Sequence, residues 1–185
     1  MRKTTTIISS LTIHILLLSS IPLSSPQPNE KTSTTDIIDQ ICKKTPFYDL
    51  CTSILNSSPP TPKPDLKTIA LVMVNNILSN ATDTLSFIET LIKKTSDREM
   101  EQALAFCAES YIPVVKYTLP QAAEAISQNR FGFAGYCVSD AVKEVNSCNK
   151  KFLGFGVVSP LGNRNGVVQK LVDVASAIIK QLLKG

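Results

Sequence analysis

The sequence predicts an all-α protein: a disulfide-tied antiparallel four-helix bundle preceded by an N-terminal helical hairpin. All seven glycines of the 185-residue chain lie after Phe131. A long stretch without glycine disfavours strands and tight turns, which need residues at positive φ. Apolar residues recur at helical spacing in four long segments, and prolines or capping residues mark the boundaries between them.

The first 25 residues have the features of a secretory signal peptide. Arg2 and Lys3 form a basic start, an apolar stretch covers residues 7–23, and two serines follow it, as in signal peptides that are cleaved. A membrane anchor is the alternative, but the continuous apolar run is short for a membrane span. We therefore expect residues 1–25 to be removed and the protein to be secreted.

The remaining chain divides by composition into a polar leader and one folded domain. Residues 26–34 are polar and are expected to be loose. The folded domain covers residues 35–185, with the helical hairpin at 35–57 and the four-helix bundle at 65–184.

The hairpin is predicted from two short apolar repeats with a proline between them. Thr35 or Asp36 would cap the first helix. Pro46 suits the first position of the second helix, where its missing N–H is tolerated. Cys42 and Cys51 are close enough in sequence to join the two helices across the corner.

The first bundle helix should begin after Asp65, a natural N-cap, and end near Lys93, where a cation suits the helix dipole. Ser96 or Asp97 would cap the second helix. The apolar spacing continues beyond both caps, which indicates two long amphipathic helices.

Two prolines and two glycine-containing segments mark the later boundaries. Pro113 and Pro120 predict a kink or break in the second bundle helix. Residues 130–134 are expected to form a turn before the third helix. Residues 153–166, rich in glycine, are expected to form the loop before the last helix. Short links of this kind favour antiparallel neighbours.

The composition argues against catalysis and against nucleic-acid binding. The net charge is +4, and loss of Arg2 and Lys3 would leave +2, too dispersed for nucleic acid. Removal of the signal peptide also removes His14, the only histidine, which excludes histidine-dependent nucleophilic catalysis and histidine metal sites. Acidic residues are scattered, and those near Asp97 suit a helix start. We predict no catalytic residue, no metal and no cofactor.

Five cysteines and two sequons are the remaining chemical features of the sequence. In an oxidising compartment four of the cysteines should pair and one should be left over, and the sequence alone leaves the pairing open. No two cysteines have CxxC spacing, so redox and zinc sites are disfavoured. Asn56 and Asn80 begin N-glycosylation sequons.

The cysteine-containing segments are similar to those of a known family. The matching features are Ile41 to Cys51 with its Pro and Phe, Pro64-Asp65-Leu66, Cys107 with Tyr111, Ser139-Asp140-Ala141, Cys148 with Phe152, and Ser159-Pro160-Leu161. On these residues the chain resembles the plant invertase and pectin methylesterase inhibitors over about residues 37–183. The pattern resembles pollen-type members assigned as invertase inhibitors, a group that includes allergens.

The resemblance implies two disulfides, Cys42–Cys51 and Cys107–Cys148, and leaves Cys137 as a free thiol, more typical of a small buried hydrophobe than of a reactive group. It implies an inhibitor, located in the apoplast or vacuole, that blocks a target enzyme without doing chemistry. We expect the protein to be a monomer. Acid invertase is the first expected target, and pectin methylesterase is the alternative. A secreted apolar-ligand carrier is a further alternative. No nucleic-acid partner, and no membrane association after signal cleavage, is expected.

The resemblance also points to a contact site at the turn between the second and third bundle helices. Invertase inhibitors have a Pro-Lys-Phe turn there that enters the target's active site. In this chain the equivalent residues are Phe131-Gly132-Phe133, of which only Phe133 matches. We expect Arg130, Phe131 and Phe133 to contact the target, on a corner held near the Cys107–Cys148 disulfide. The alternative is that the phenylalanines pack inward as a cap on the bundle.

Overall fold

The computed structural model describes residues 34–59 and 64–185, and within these ranges the protein is all-α. The predicted signal peptide, most of the predicted leader and part of the proline-rich connector lie outside the described residues. The helices are α1 (Thr34–Cys42), α2 (Tyr48–Ser57), α3 (Leu66–Ile92), α4 (Arg98–Pro113), a π-helical segment (Val114–Thr118), α5 (Leu119–Ser127), α6 (Phe131–Phe155) and α7 (Gly162–Leu182). None of the described helices is both long enough and apolar enough to cross a membrane.

The predicted architecture is confirmed. Helices α1 and α2 form the hairpin, which contacts α3 and α7. The four-helix bundle consists of α3, the interrupted helix α4–α5, α6 and α7. Helix α3 packs against α4–α5 and α7, and α6 packs against the same two neighbours. This arrangement follows from short links between successive helices.

The centre of the bundle is filled by large apolar side chains from every long helix. The largest fully buried ones include Met73, Ile77, Leu104, Tyr111, Phe152, Leu171 and Ile178. The predicted apolar faces therefore meet in one core, which is the main source of stability for such a fold.

Two of the predicted helix starts are confirmed by their capping bonds. Oδ1 of Asp65 accepts a 2.7 Å hydrogen bond from the amide of Thr68 at the start of α3. Oδ1 of Asp97 accepts a 2.9 Å bond from the amide of Met100 at the start of α4. Each satisfies a helix N–H that has no partner within the helix.

The predicted start of the second hairpin helix at Pro46 is wrong. Helix α2 begins at Tyr48, because Thr45 closes a turn on the end of α1 instead. Both the amide and the hydroxyl of Thr45 donate to the carbonyl oxygen of Cys42, at 2.9 Å and 2.8 Å. Helix α1 already includes Thr34, so neither Thr35 nor Asp36 is its N-cap.

A tyrosine and a lysine from the hairpin bind one carboxylate. The hydroxyl of Tyr48 donates to Oδ1 of Asp39 at 2.8 Å, and Nζ of Lys43 lies 2.7 Å from Oδ2. The bonds from Lys43 and Tyr48 lower the pKa of Asp39 below its usual range. Asp39 therefore remains ionised under mildly acidic conditions.

The predicted interruption between the second bundle helix's two prolines is confirmed as a π-helical segment, residues 114–118. Pro113 ends α4 and Pro120 lies in the first turn of α5. Proline lacks an N–H and its ring clashes with the carbonyl four residues earlier, so one wider turn accommodates both prolines.

The predicted loop 153–166 is too long. Helix α6 continues to Phe155 and α7 begins at Gly162. The stop is Gly156, at φ 70°, and the amide of Val157 donates back to the carbonyl of Phe152 at 3.1 Å. This bond across a left-handed glycine is the Schellman arrangement that ends many helices.

Candidate functional site

The corner between α5 and α6 is shorter than predicted and consists of residues 128–130. Asn129 has φ 60°, and the amide of Arg130 donates to the carbonyl of Ala125 at 2.8 Å. This is a Schellman cap with asparagine in place of glycine, and asparagine tolerates the left-handed conformation better than most residues. Phe131 to Ala134, predicted as turn, form the first turn of α6, because α5 has already been closed by Asn129.

Lys67, at the start of α3, holds this corner in place. Its Nζ donates to the carbonyl oxygen of Ser127 at 2.8 Å and to Oδ1 of Asn129 at 2.9 Å. The ammonium group lies where the unpaired carbonyls of α5 concentrate partial negative charge. The corner is therefore attached to the bundle by a side chain from a different helix.

A row of cationic and aromatic side chains runs outward from the corner along α6. The Arg130 guanidinium lies 5.3 Å from the centroid of the Phe133 ring. Phe133 and Tyr136 are stacked, with centroids 6.4 Å apart and planes at 15°. Nζ of Lys143 lies 5.8 Å from the Tyr136 ring. We call these four residues the α6 aromatic row.

The aromatic rings of the row are unusually open to solvent. Phe133 is 42% exposed and Tyr136 is 61% exposed, although aromatic side chains are normally largely buried. Tyrosine and arginine are enriched among the residues that contribute most binding energy at protein interfaces, and a cation beside an aromatic ring is attracted to its face. The α6 aromatic row has the chemistry of a protein-binding surface.

The three residues predicted to bind the target do not share one environment. Arg130 and Phe133 lie together in the α6 aromatic row. Phe131 is half-buried and packs against the core, so the inward alternative describes Phe131 and not Phe133. Sequence reasoning missed Tyr136, whose spacing of three residues from Phe133 on a helix was the available signal.

The expectation that the corner lies near the second disulfide is wrong. Cys107 of α4 pairs with Cys148 of α6, with Cα atoms 4.7 Å apart. Cys148 follows Phe131 by 17 residues on one helix, which places it about 25 Å along α6 at 1.5 Å per residue. The corner is stabilised by its cap and by Lys67 instead.

The remaining cysteines are arranged as the family resemblance implies. Cys42 pairs with Cys51, with Cα atoms 5.6 Å apart, and joins α1 to α2. Cys137 has a free thiol that is 3% exposed. Burial raises its pKa, so the thiol remains protonated and is a poor nucleophile.

The two sequon asparagines differ in exposure. Asn56 is exposed near the end of α2, whereas Asn80 is half-buried in the middle of α3. Nδ2 of Asn80 donates to the carbonyl of Asn76 at 2.9 Å. A glycan on Asn80 would replace one of the two hydrogens on this nitrogen, because N-glycosylation attaches the sugar there, and it would have to fit beside a half-buried side chain.

The described residues contain no cluster of three or more potential metal-binding side chains. Glu99 and Glu101 lie in the first turn of α4 after the Asp97 cap, where acidic residues complement the helix dipole. This group of acidic residues therefore has a structural explanation.

Comparisons of the sequence and the structure with known proteins all match inhibitor proteins. Residues 36–178 match the family described as plant invertase/pectin methylesterase inhibitor. The chain is 37% identical over 148 residues to the cell wall / vacuolar inhibitor of fructosidase 1 of Arabidopsis thaliana, covering 79% of this chain and 69% of that protein. It is 26% identical to the pectinesterase inhibitor of Actinidia deliciosa, covering 95% and 92% of the two chains. In structure it is similar to a pectin methylesterase inhibitor from Arabidopsis thaliana, with a TM-score of 0.61 and 21% identity over 81% of this chain and 98% of that one.

Proposed function

We propose that this chain, which belongs to the plant invertase/pectin methylesterase inhibitor family, is a secreted inhibitor that blocks an acid invertase through the α6 aromatic row. Family membership makes the protein an inhibitor that works by binding and does no chemistry on a substrate. The choice of invertase draws on the relative at 37% identity, which is named for inhibition of a fructosidase. Invertase hydrolyses the fructosyl bond of sucrose and is therefore a fructosidase.

The observation that carries the proposal is the stack of Arg130, Phe133 and Tyr136 on a fixed corner. A binding surface that is already ordered loses little conformational entropy when a partner binds. Lys67 and the Asn129 cap provide this order. The aromatic rings would supply apolar contact area, and the cation would supply orientation.

The charge of Arg130 suits a glycosidase active site. Glycoside hydrolases generally use a pair of carboxylic side chains at the scissile bond. The Arg130 guanidinium is exposed and forms no ion pair with the described residues. It is therefore free to donate to carboxylates of a target, and a bidentate pair of this kind is among the stronger polar contacts.

The proposed location is the cell wall or the vacuole. The predicted signal peptide at residues 1–25 directs the chain into the secretory pathway, and the fructosidase inhibitor relative is named for these two compartments. Both disulfides are compatible with an oxidising compartment.

Pectin methylesterase is the second candidate target. Tyr136 and Lys143 extend the exposed row beyond the corner along the side of α6, and this extension suits a target that contacts a helix face instead of one turn. The third alternative, an apolar-ligand carrier, is disfavoured by the filled core, where Met73, Ile77 and Phe152 are fully buried.

The test uses the oxidised protein purified from a secreting host. It is titrated at mildly acidic pH against a plant acid invertase and a plant pectin methylesterase. We expect inhibition of the invertase, and a rise in the inhibition constant of at least about thirtyfold for Arg130→Ala/Phe133→Ala, since paired hot-spot residues contribute about 2 kcal/mol or more.

The control is Tyr117→Ala, which removes an aromatic ring that is 62% exposed on the π-helical segment. It should leave inhibition unchanged. Inhibition of the methylesterase alone would replace the proposed target with the second candidate. An Arg130→Ala/Phe133→Ala protein that inhibits invertase as well as the wild type would rule out the row as the contact site.

A further inference from the structure

A cleft lined by three lysines lies between the segment after α1, the start of α3 and the end of α7. Its volume is about 590 Å³, and it is lined by Lys44, Leu66, Ala177, Lys180, Gln181, Lys184 and Gly185. We call it the lysine cleft. None of its residues belongs to the α6 aromatic row, so it is a separate feature of the surface.

We propose that the lysine cleft binds an acidic oligosaccharide, a chain of sugars that carry carboxylate groups. Binding in the cleft goes beyond the inhibition proposed above and does not depend on it. Only the biological meaning, retention of the protein on an acidic cell-wall polysaccharide, rests on the proposed secretion.

The charge of the cleft is the first argument. Lys44, Lys180 and Lys184 are exposed, and none of them forms an ion pair with the described residues. No acidic side chain lines the cleft. The cleft therefore has a net positive charge and attracts anions.

The lysines come from two separate parts of the chain. Lys44 follows the end of α1, whereas Lys180 and Lys184 lie in and after the last turn of α7. Cations are favoured at helix C-termini, which explains why each lysine is tolerated there. It does not explain why both helix ends face one recess without a compensating acidic side chain.

Gln181 provides an independent argument for a ligand. Its Nε2 atom is buried and has no hydrogen-bond partner. Among the described residues, no other buried side-chain nitrogen or oxygen atom lacks a partner. Buried donors are almost always paired, so an unpaired one calls for an explanation. Gln181 lines the lysine cleft, and a rotation of its side chain that turns the amide into the cleft would let a carboxylate or hydroxyl oxygen of a bound sugar supply the missing acceptor.

The shape and lining of the cleft favour a carbohydrate over an acidic protein loop or a single small anion. The volume is within the range of pockets that hold small ligands. Leu66 and Ala177 supply an apolar surface for the C–H face of a sugar ring. Lysine acts as a flexible point charge, which suits successive carboxylates along a chain better than a fixed bidentate geometry.

The test measures binding of a defined oligogalacturonate to the purified, oxidised full-length secreted protein, by calorimetry at low ionic strength. A methyl-esterified oligomer of the same length is the neutral control. We expect the carboxylated oligomer to bind with an affinity that falls as salt is added, and the esterified oligomer not to bind measurably.

Two variants with the same charge change separate the cleft from diffuse surface charge. Lys44→Ala/Lys180→Ala/Lys184→Ala should weaken binding by about tenfold or more, since each exposed ion pair contributes modestly. Lys93→Ala/Lys116→Ala/Lys150→Ala removes three exposed lysines outside the cleft and should change binding by less than about threefold. Gln181→Leu should also weaken binding without a change in charge.

Several outcomes would overturn the inference. These are equal losses for the two triple variants, equal binding of the two oligomers, or no binding of the carboxylated oligomer. If the cleft variant binds oligogalacturonate normally but inhibits the target enzyme less, the cleft contacts protein and the carbohydrate assignment is wrong. Inhibition by the same variants is measured in parallel, so failure of the inhibitor function and failure of carbohydrate binding are distinguishable.

Discussion

The hydroxyl of Tyr111 on α4 donates a 2.7 Å hydrogen bond to Oδ1 of Asn165 on α7, across 54 residues of sequence. Both side chains are fully buried. Nδ2 of Asn165 donates in turn to Oδ1 of Asn149 at 2.5 Å and to Sγ of Cys148 at 3.5 Å. A satisfied polar network therefore lies directly beside the Cys107–Cys148 disulfide, and it fixes the relative positions of three helices.

Tyr111→Phe should lower the free energy of unfolding by about 1–3 kcal/mol, because the side-chain oxygen Oδ1 of Asn165 would remain buried without its donor. Urea unfolding of the oxidised protein measures this change. The control is Tyr117→Phe, at a tyrosine that is 62% exposed, and its stability should equal that of the wild type. If both variants unfold at the same urea concentration as the wild type, the Tyr111–Asn165 bond contributes no net stability.

Burial of Tyr111 also predicts a loss of stability in alkaline solution. Burial raises the pKa of Tyr111 above its ordinary value of 10.0, because the charged phenolate is disfavoured in the core. In the unfolded chain the phenol ionises from about pH 10, so the unfolded state loses its proton first and the free energy of unfolding falls as pH rises further. Below that pH the contribution of Tyr111 is complete.

The measurement compares the free energy of unfolding of the wild type and Tyr111→Phe between about pH 8 and pH 11. The difference between them should shrink as pH rises, since only the wild type has this tyrosine to ionise. Other groups titrate equally in both proteins. A constant difference over the whole range would show that Tyr111 ionises equally well in the folded state.

Boundaries set by local chemistry were predictable, as Asp65 and Asp97 show. Each cap is a bond between a side chain and a backbone amide three residues away, so the sequence contains both partners. The predicted end of α6 is too early because Gly154 and Gly156 look alike in sequence. Only Gly156 has a positive φ, and that conformation depends on where the chain must turn towards α7.

The candidate site was only partly predictable for a different reason. The sequence places Phe131 and Phe133 near one corner, but their environments are set by how α6 packs on its neighbours. The cap at Asn129 starts α6 directly at Phe131. This start sets which side of α6 faces the core, so that Phe131 is partly buried and Phe133 is exposed. The partner of Lys67, sixty residues away, has no local sequence signal.

The left-handed conformation of Asn129 predicts a difference between two substitutions at that position. Asn129→Ala should lower the free energy of unfolding by about 1 kcal/mol relative to Asn129→Gly, because a Cβ-bearing residue is strained at positive φ and glycine is not. Both variants lose the bond to Lys67, so their comparison isolates the backbone conformation. Thermal unfolding of the two proteins measures it, and equal melting temperatures would contradict the assigned φ.

Lys67→Met should weaken inhibition of the target by loosening the corner, with little loss of global stability. The substitution keeps an apolar stem of similar length and removes both bonds to the corner. Inhibition constants and unfolding curves for the same protein samples separate the two effects. Lys93→Met, at an exposed lysine outside the corner, is the matched control, and a loss of inhibition equal to that of Lys67→Met would argue against positioning by Lys67.

The difference in exposure between the two sequons predicts their use. We expect the protein from a secreting host to carry a glycan on Asn56, which is exposed, and not on Asn80, whose Nδ2 bonds to a helix carbonyl. Intact-mass spectrometry should show the loss of one glycan in Asn56→Gln and an unchanged glycan mass in Asn80→Gln. A glycan on Asn80 would show that attachment precedes formation of α3 and that the folded helix accommodates it.

Substitutions of Phe131 and Phe133 should have opposite relative effects on the stability of the protein and on inhibition of the target. Phe131 is half-buried against the core, so Phe131→Ala should lower the free energy of unfolding by about 1–2 kcal/mol, less than a fully buried phenylalanine would. Phe133 is 42% exposed, and Phe133→Ala should change stability by less than about 0.5 kcal/mol. Inhibition should follow the opposite order, because Phe133 is the ring that a target can reach.

Unfolding curves and inhibition constants at a temperature where both variants are folded provide the two readouts. Should Phe131→Ala weaken inhibition more than Phe133→Ala, the contact surface would centre on the buried edge of the corner and not on the α6 aromatic row.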